Sequence, residues 1–511
     1  MVAELEQLEH ECEAPVPEER DILARNSSDL FDDKERTDDL VDWLSQIKLT
    51  DERFLRATPA YRVVECAGRP LRRSHGDHFR HSQAVAEISK FISHSWQASA
   101  WSKIWTLLVY YNWVAAVLIG NLVACVAMIL FTYDLLPGFT RVQRFSTEPT
   151  FQGAWSLSLG LISYVSVLLL RRPREGVFLD RCCVNQVDDA EKMEGLINMC
   201  ACLKHSKKLL VIWDQTYCRR LWCIFEMAAF LKTHSLGGLL VQPLYMASFV
   251  LACNLVNTMA MFVDLVLPYE SHFTVYMYIL GLCAYAWLAG TAVVHFSESV
   301  TTAEQQLMTF KVANAQCYCC FVGHQVNGGE LQCDRKVILQ CLQHWFSSIQ
   351  EFEKNVQNRV RKALTHQLGS ALYLYHLSMV GNLPLLWAQM DKASARLRQG
   401  DAEGALAAGI IGSCGLVIFT PMCIAVVLLT VRSLRYAFPA SHCTFKRLAG
   451  VLAFLVMQLM IHSTLELMVV SAGLLPGAAL WSGIWLLPSL LLSWCASRLN
   501  FQRGAERQEA A

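Results

Sequence analysis

Long apolar runs are the dominant pattern of this chain, and they predict a protein that crosses a membrane several times. A run of about 18 or more residues with few charges is typical of a transmembrane helix. The run at 367–390 is weaker than the others because it contains His376, Asn382 and Pro384. We expect about eight spans, with seven and nine as the alternatives, at 104–133, 151–170, 243–263, 273–296, 367–390, 405–431, 448–470 and 480–497.

Shorter apolar stretches between these runs alternate with helical patterns, which is typical of a parallel sheet covered on both faces. The first predicted strand precedes the first two spans, and the others follow them. Because the two ends of a helical hairpin return to the same side of a membrane, we expect one sheet that the first hairpin splits in sequence. The strands are predicted at 90–96 (KFISHSW), 176–181 (GVFLDR), 207–213 (KKLLVIW) and 239–244, and the helices at 193–205 and 220–232.

Composition and charge agree with a membrane protein. The chain has 511 residues, of which 54% are hydrophobic and 17% charged, and its mean hydropathy is +0.30. These values argue against a soluble enzyme. The formal net charge is zero, so no nucleic-acid partner is expected, and the lipid bilayer is the predicted partner. Lys and Arg concentrate in the loops on one side of the predicted spans, which places both termini in the cytosol.

The same patterns divide the chain into segments. Residues 1–43 hold 15 acidic and four basic residues, which is typical of a disordered tail. The predicted segments are an acidic tail at 1–60, a basic segment with the first strand at 61–103, spans 1–2 at 104–170, the rest of the α/β domain at 171–245, spans 3–4 at 246–297, a Cys/His-rich segment with an amphipathic helix at 298–366, spans 5–6 at 367–431, a basic cytosolic loop at 432–447, spans 7–8 at 448–497 and a cytosolic tail at 498–511.

The motifs of the α/β domain resemble those of Toll/interleukin-1 receptor (TIR) domains, above all the plant and bacterial ones. The stretch FISHSW is similar to a TIR strand that ends in serines, and FLDR to the strand that follows it. The match covers 88–103 and 175–245, about a fifth of the chain. The chain as a whole resembles a family of multi-pass, TIR-like proteins of dinoflagellate algae. A later TIR motif, which opens a helix, is matched by Tyr217, Trp222, Cys223 and Glu226.

The resemblance implies a flavodoxin-like fold and a candidate active site. Many TIR domains cleave NAD at the nicotinamide–ribose bond, and the glutamate that corresponds to Glu226 is their catalytic residue. A carboxylate there could stabilise the positive charge that develops on the ribose. The resemblance thus implies NAD as a substrate and homotypic contacts between TIR-like modules. The candidate cofactor-binding residues at the same edge of the sheet are Ser93, His94, Ser95, Asp180 and Trp222.

A cysteine- and histidine-rich stretch is the second candidate site. Cys317, Cys320, His324 and Cys333 have the spacing C-x2-C-x3-H-x8-C, and C-x2-C is a common half-site for zinc. The competing interpretation is a reduced, cysteine-rich packing segment without a metal. None of the 20 cysteines falls in a loop predicted on the outer side, so no disulfide framework is expected.

Three functions stay open on the sequence alone. The first is signalling or assembly at the membrane through the TIR-like module, with NAD cleavage as its enzymatic form. The second is a non-enzymatic membrane scaffold. The third is a transporter or channel, which is suggested by His462 and Glu466, because ionisable side chains four residues apart in a predicted span share one helix face.

Overall fold

In the computed structural model, the chain divides into a sheet unit and a helical unit. The sheet unit comprises Met1–Leu107, Arg172–Leu244 and Thr302–Gln367, and the helical unit comprises Leu108–Arg171, Tyr245–Thr301 and Leu368–Ala511. The described residues are 33–72, 77–142, 149–267, 272–321, 324–326, 329–330, 333–368, 371–437 and 443–501. Most of the predicted tail at 1–60 and most of the tail at 498–511 therefore lie outside the described residues.

The strands are short, and most of them belong to the sheet unit. Their bounds are β1 Arg56–Pro59, β2 Gln83–Ala84, β3 Ile88–His94, β4 Phe139–Val142, β5 Pro149–Gln152, β6 Gly176–Phe178, β7 Ser206–Trp213, β8 Leu239–Pro243, β9 Gln325–Val326 and β10 Gly329–Glu330.

Helices make up most of the described chain. Their bounds are α1 Asp33–Gln46, α2 Ala60–Gly68, α3 Ala100–Thr132, α4 Trp155–Leu170, α5 Asp180–Cys183, α6 Asp189–Ile197, α7 Met199–Lys204, α8 Leu221–Thr233, α9 Met246–Val266, α10 His272–Met308, α11 Tyr318–Phe321, α12 Asp334–Phe346, α13 Ile349–Asn355, α14 Arg361–Leu368, α15 Ala371–Gly381, α16 Leu383–Arg398, α17 Ala402–Cys414, α18 Thr420–Ala437, α19 Cys443–Ala472 and α20 Leu474–Phe501.

Six strands form one mixed sheet in the order β2-β1-β6-β3-β7-β8. Strand β3 is parallel to both of its neighbours, with Phe91 opposite Phe178 on β6 and Ser93 opposite Val211 on β7. Strand β8 is parallel to β7, whereas β1 is antiparallel to β6 and β2. The predicted pairing of a strand before the first hairpin with strands after it is therefore confirmed.

The core of this sheet explains the uninterrupted apolar run of β7. Leu209, Leu210, Val211 and Ile212 are all buried, so that successive side chains on both faces of the strand are covered. Side chains alternate between the faces of a strand, and only a sheet with helices on both sides buries them all. Phe178 stacks on Phe91 of the neighbouring strand, with ring centroids 4.5 Å apart.

The predicted boundary of the acidic tail at residue 60 is wrong for residues 33–59. Helix α1 buries Val41 and Leu44, and its Ser45 carbonyl accepts a hydrogen bond from the Trp345 indole at 3.0 Å. Strand β1 extends the sheet beside β6. An acidic composition favours disorder only where too few apolar side chains are available for burial, and α1 has enough of them on one face.

The predicted amphipathic helix within 298–366 buries its apolar face. Phe352, Val356, Val360 and Leu364 are each at most 1% exposed. A π-helical turn at Val356–Val360 joins α13 to α14. The spacing of about four residues therefore identified the packed side of this segment correctly.

Within the described residues, six helices are long and apolar enough to cross a membrane, and this supports a multi-pass membrane protein. Helix α4 is apolar but has only 16 residues. The stretch predicted as a span at 367–390 is divided at Asn382 into α15 and α16. Eight spans therefore stay a prediction. The six candidate spans are Ala100–Thr132, Met246–Val266, Ile279–Met308, Ala402–Val431, Thr444–Ala472 and Leu474–Leu492.

Candidate functional site

The candidate site lies at the carboxyl ends of β3 and β7. In the sheet, β6 lies on one side of β3 and β7 lies on the other. The connection from β3 to β6 and the connection from β6 to β7 therefore run in opposite directions across the sheet. Such a reversal opens a crevice at the carboxyl edge of a parallel sheet, and this is where ligands bind to open α/β sheets. The residues that follow β3 and β7, and the first turns of α8, supply the side chains at this edge.

Ser93 joins Glu226 and Tyr217 in one hydrogen-bonded group. The Ser93 hydroxyl donates to Oε2 of Glu226, and its oxygen lies 2.7 Å from the hydroxyl of Tyr217. The Tyr217 hydroxyl also donates to the carbonyl oxygen of Cys223, at 3.4 Å. Ser93 and Tyr217 are completely buried, whereas Glu226 is partly exposed. The sequence prediction that Ser93 and Glu226 meet at this edge agrees with the structure.

Burial changes the protonation of Glu226. Burial of its carboxyl group raises the pKa of Glu226 from an ordinary value of 4.5 to about 8. The hydrogen bond from Ser93 opposes this rise, the negative charge of Asp180 adds to it, and the positive charge of Arg220 opposes it. Removal from water disfavours the charged form of a carboxyl group. Glu226 is therefore mostly protonated at neutral pH.

Two further carboxyl groups lie at the same edge. Asp180 accepts hydrogen bonds from the Trp96 indole at 3.0 Å and from the backbone N–H of Arg181 at 2.7 Å. Asp214 accepts from the backbone N–H of Thr216 at 3.0 Å. Burial raises the pKa of both aspartates above the ordinary value. Asp180 opens helix α5 instead of ending the strand, because β6 already ends at Phe178.

The two remaining β3-end residues are buried beside these carboxyl groups. The Ser95 hydroxyl accepts a hydrogen bond from Thr216 at 2.7 Å. His94 packs edge-on against Trp96, with ring centroids 4.5 Å apart, and its Nε2 has no hydrogen-bond partner among the described atoms. Burial and the nearby charge of Lys103 lower the pKa of His94 well below 6.5, so its imidazole is neutral.

Lys103, Asp214 and Thr216 belong to this edge but were missed from the sequence. The Lys103 ammonium lies 5.3 Å from the centre of the Trp96 ring, and its side chain is buried. It directly precedes a long apolar run, where a positive charge is typical of the flank of a membrane span. Asp214 directly follows β7, and this was the signal that could have revealed it, because residues after parallel strands meet at one edge.

Trp222 has other partners. Its indole N–H donates to Oδ2 of Asp334 at 3.2 Å, and its ring packs edge-on against Phe225. Together with Leu44 and Ile338, it lines a small apolar cavity of about 30 Å³ within the sheet unit. The structure thus brings together Ser93, His94, Ser95, Asp180 and Glu226, and it places Trp222 at a separate cavity.

At this edge of the sheet, partly exposed carboxyl groups surround buried serine and histidine side chains. Asp180, Asp214 and Glu226 are partly exposed and could accept or donate hydrogen bonds to hydroxyl groups of a ligand. Ser93, His94 and Ser95 are buried and form the floor. A protonated Glu226 has no negative charge, so at neutral pH it offers little stabilisation to a developing cation.

The Cys/His stretch forms a compact thiol cluster in the same unit. Cys317, Cys319 and Cys320 have their sulfur atoms within 4.8 Å of one another, and so do the ligand atoms of Cys319, His324 and Cys333. All four residues predicted as zinc ligands are therefore in the cluster. The spacing did not include Cys319 among the predicted ligands, whereas the structure includes it in both groups. The described cysteines are free thiols.

Fold and site together define a multi-pass membrane protein that also contains a mixed, largely parallel α/β domain. Comparisons of the chain with family models, with curated proteins and with solved structures find no match.

Proposed function

We propose that this protein is a polytopic membrane protein whose cytosolic, TIR-like module acts in signalling or assembly at the membrane. The proposal places about eight spans in the bilayer and both termini in the cytosol. Apolar helices of sufficient length and the basic side of the loops support this topology.

The strand order supports the TIR-like assignment. The four parallel strands lie in the order β6-β3-β7-β8, so the first parallel strand of the chain is inside the sheet and the second is beside it. A flavodoxin-like sheet begins with the same arrangement, in which the chain order is 2-1-3-4. The pairing of β3 with both β6 and β7 is the observation that carries the proposal.

Assembly without catalysis is the form that the geometry favours. Glu226 is bound by Ser93, which Tyr217 also contacts, and burial keeps its carboxyl protonated at neutral pH. Ser93, His94 and Ser95 are buried. Homotypic contacts between modules at the membrane surface would need none of these groups.

NAD cleavage is the second candidate, and the position of Glu226 favours it. Strongly shifted pKa values cluster at functional sites, and Glu226, Asp180 and Asp214 all have raised pKa values at one sheet edge. If Glu226 acts as a carboxylate, the rate would rise with pH up to about 8, since only the deprotonated form carries the charge.

Non-enzymatic assembly and NAD cleavage are distinguished by measuring loss of NAD with the full-length protein in detergent. A non-enzymatic module is expected to consume no more NAD than Glu226→Ala. Turnover that disappears in Glu226→Ala but persists in the exposed control Glu52→Gln would establish catalysis.

Assembly is measured by energy transfer between two labelled populations of the protein in liposomes. An absence of transfer at high protein density would contradict it.

Transport is a third candidate, favoured by a cavity of about 190 Å³ within the helical unit. Its lining includes Asn257, Tyr285, Asn382 and His462. The break between α15 and α16 at Asn382 and the π-helical turn Gly415–Phe419 both contribute to it. Irregular backbone at membrane depth is tolerated where it lines a cavity. A solute or proton flux in liposomes that vanishes in Glu466→Gln and persists in Glu226→Ala would favour this function.

A further inference from the structure

The thiol cluster of the sheet unit has a geometry that suits a tetrahedral metal ion. The sulfur atoms of Cys320 and Cys333 are 3.8 Å apart. Four ligands around Zn²⁺, with Zn–S bonds of about 2.3 Å, have tetrahedral edges of about 3.8 Å. Cys319 lies within 4.8 Å of Cys320 and also of Cys333. These three thiols therefore outline one face of a tetrahedron.

His324 offers the fourth ligand. Its nearest ligand atom is within 4.8 Å of the sulfur atoms of both Cys319 and Cys333. The Nδ1 atom of His324 is buried and has no hydrogen-bond partner in the described part of the chain. The residue also has a φ of 60°, a left-handed conformation that is uncommon for a side chain of this kind. A buried imidazole nitrogen without a partner is costly unless it binds something.

Cys317 fits the tetrahedron less well than Cys319. The sulfur atoms of Cys317 and Cys319 are only 2.9 Å apart, so these two thiols cannot both occupy corners of one zinc tetrahedron without moving apart. Cys319 is the one that also approaches His324 and Cys333. Cys317 is left as a thiol that hydrogen-bonds to Cys319.

The contact with Cys317 and burial raise the pKa of the Cys319 thiol, and burial raises that of the Cys320 thiol, whereas two nearby donors oppose these shifts. The backbone N–H of Asp334 donates to the Cys319 sulfur, and the Arg335 side chain donates to the Cys320 sulfur. Cys333 precedes helix α12 as its N-cap residue, where the partial positive charge of the helix end lies. Partners of this kind orient metal ligands and increase metal affinity.

We propose that Cys319, Cys320, His324 and Cys333 bind one Zn²⁺ ion, and that this ion fastens the Cys/His segment to the start of helix α8. Binding releases the protons of the three thiols, because zinc is held by thiolates. The segment contacts α8 on both sides of the cluster. Gln316 exchanges backbone hydrogen bonds with Arg219 and Leu221, at 2.6 and 3.1 Å.

The second contact comes from the far side of the cluster. Asp334, directly after Cys333, accepts the hydrogen bond of the Trp222 indole at 3.2 Å. Both contacts reach the first turn of the helix that carries Glu226. Removal of the ion is therefore expected to destabilise the start of α8, and this structural role does not depend on whether Glu226 is catalytic.

The test uses the full-length protein, purified in detergent without chelator. We expect about one zinc ion per chain by elemental analysis, since a closed four-ligand site retains its ion. Titration of the metal-free protein with Co²⁺ is expected to give a thiolate-to-metal charge-transfer band and tetrahedral d–d bands. Absence of both zinc and the charge-transfer band would overturn the proposal, and this result requires no substitution.

Variants then identify the ligands. Cys319→Ser and Cys333→Ser are expected to lose zinc, and His324→Ala to weaken Co²⁺ binding by about 100-fold or more, beyond the usual effect of a supporting partner. Cys317→Ser and Cys66→Ser, the second an exposed thiol outside the cluster, are expected to retain it. Retention in Cys319→Ser with loss in Cys317→Ser would overturn the ligand set in favour of the C-x2-C pair.

Discussion

The sheet unit and the helical unit are both rich in apolar residues, but they place them in opposite ways. In the sheet unit, the apolar residues of β7, such as Leu209 and Leu210, are fully buried. In the helical unit, Leu118 and Leu122 are 64% and 63% exposed, whereas the amide side chain of Asn382 is buried. Apolar side chains face outward where the surrounding solvent is lipid, because no hydrophobic force then drives them inside.

The two units also differ in how they hold buried polar groups. The sheet unit gathers them at the ends of β3 and β7, where water can reach the rim. In the helical unit, the Asn382 amide oxygen accepts hydrogen bonds from Asn257 at 2.8 Å and from Tyr285 at 2.7 Å. Its amide nitrogen donates to the Ser378 carbonyl at 2.8 Å. A helix break inside a membrane is stable only when its polar groups have partners of this kind.

The largest effect is expected from a charge on the lipid-facing surface. Leu122→Asp should make insertion of the first span less favourable by about 3–4 kcal/mol, because an aspartate at the centre of a span is costly and the favourable contribution of the leucine is lost. Val187→Asp, at an equally exposed position of the sheet unit, should change stability by less than about 0.5 kcal/mol. Insertion is measured with glycosylation sites on both sides of the span, and stability by thermal unfolding. Equal tolerance of both changes would contradict the contrast between lipid and water.

A smaller, pH-dependent effect is expected at Glu226. Its pKa is about 8 in the folded protein against an ordinary 4.5, so the folded state holds the proton more tightly and loses stability as pH rises from about 4.5 to about 8. Glu226→Gln cannot ionise and should lack this loss. The loss accumulates at no more than about 1.4 kcal/mol per pH unit over this range, or about 3–5 °C in melting temperature per unit.

The readout for Glu226 is the difference in melting temperature between Glu226→Gln and the wild type. This difference should grow in favour of the variant between about pH 5 and 8 and level off above that range. A constant difference across the range would mean that Glu226 ionises freely in the folded sheet unit.

The smallest effect is expected inside the helical unit. Tyr285→Phe removes one hydrogen bond to Asn382, and such bonds within membrane proteins contribute about 0.6 kcal/mol on average. The melting temperature in detergent should therefore fall only slightly, and Tyr276→Phe, at an exposed position, should leave it unchanged. A loss above about 2 kcal/mol would indicate that the network around Asn382 holds the bundle together.

Much of the sheet could be predicted because its signals are local. The uninterrupted apolar run of β7 and the serines after β3 indicated buried parallel strands that end at one edge. Strand β1 could not be found in this way, since Arg56–Pro59 is four residues long and ends in proline. Only its pairing with β6 makes it a strand, and a short segment has too few side chains to reveal a pattern.

The candidate sites show the same limit. Glu226 and Ser93 were identified by motif, but the group formed with Tyr217 depends on a hydrogen bond across 124 positions of the chain. Spacing favoured the C-x2-C pair and left Cys319 out of the candidate ligand set, whereas the folded chain brings the Cys319 sulfur within 4.8 Å of the ligand atoms of His324 and Cys333. The spacing of cysteines and histidines indicates which residue types could bind a metal. The path of the backbone between these residues decides which sulfur and nitrogen atoms lie close enough to share one ion.

The amino-acid pattern alone determined that this chain enters a membrane, that an α/β domain interrupts its helices and that thiols gather near residue 320. These properties follow from the hydrophobicity and reach of neighbouring side chains. The tertiary structure decided which strands pair across the inserted helices, that Asn382 divides a helix and that the Glu226 carboxyl is partly removed from water. Strand pairing, the helix break and the protonation of Glu226 each depend on groups that are far apart in the chain. The free energies of these interactions are set by the surroundings that form on folding.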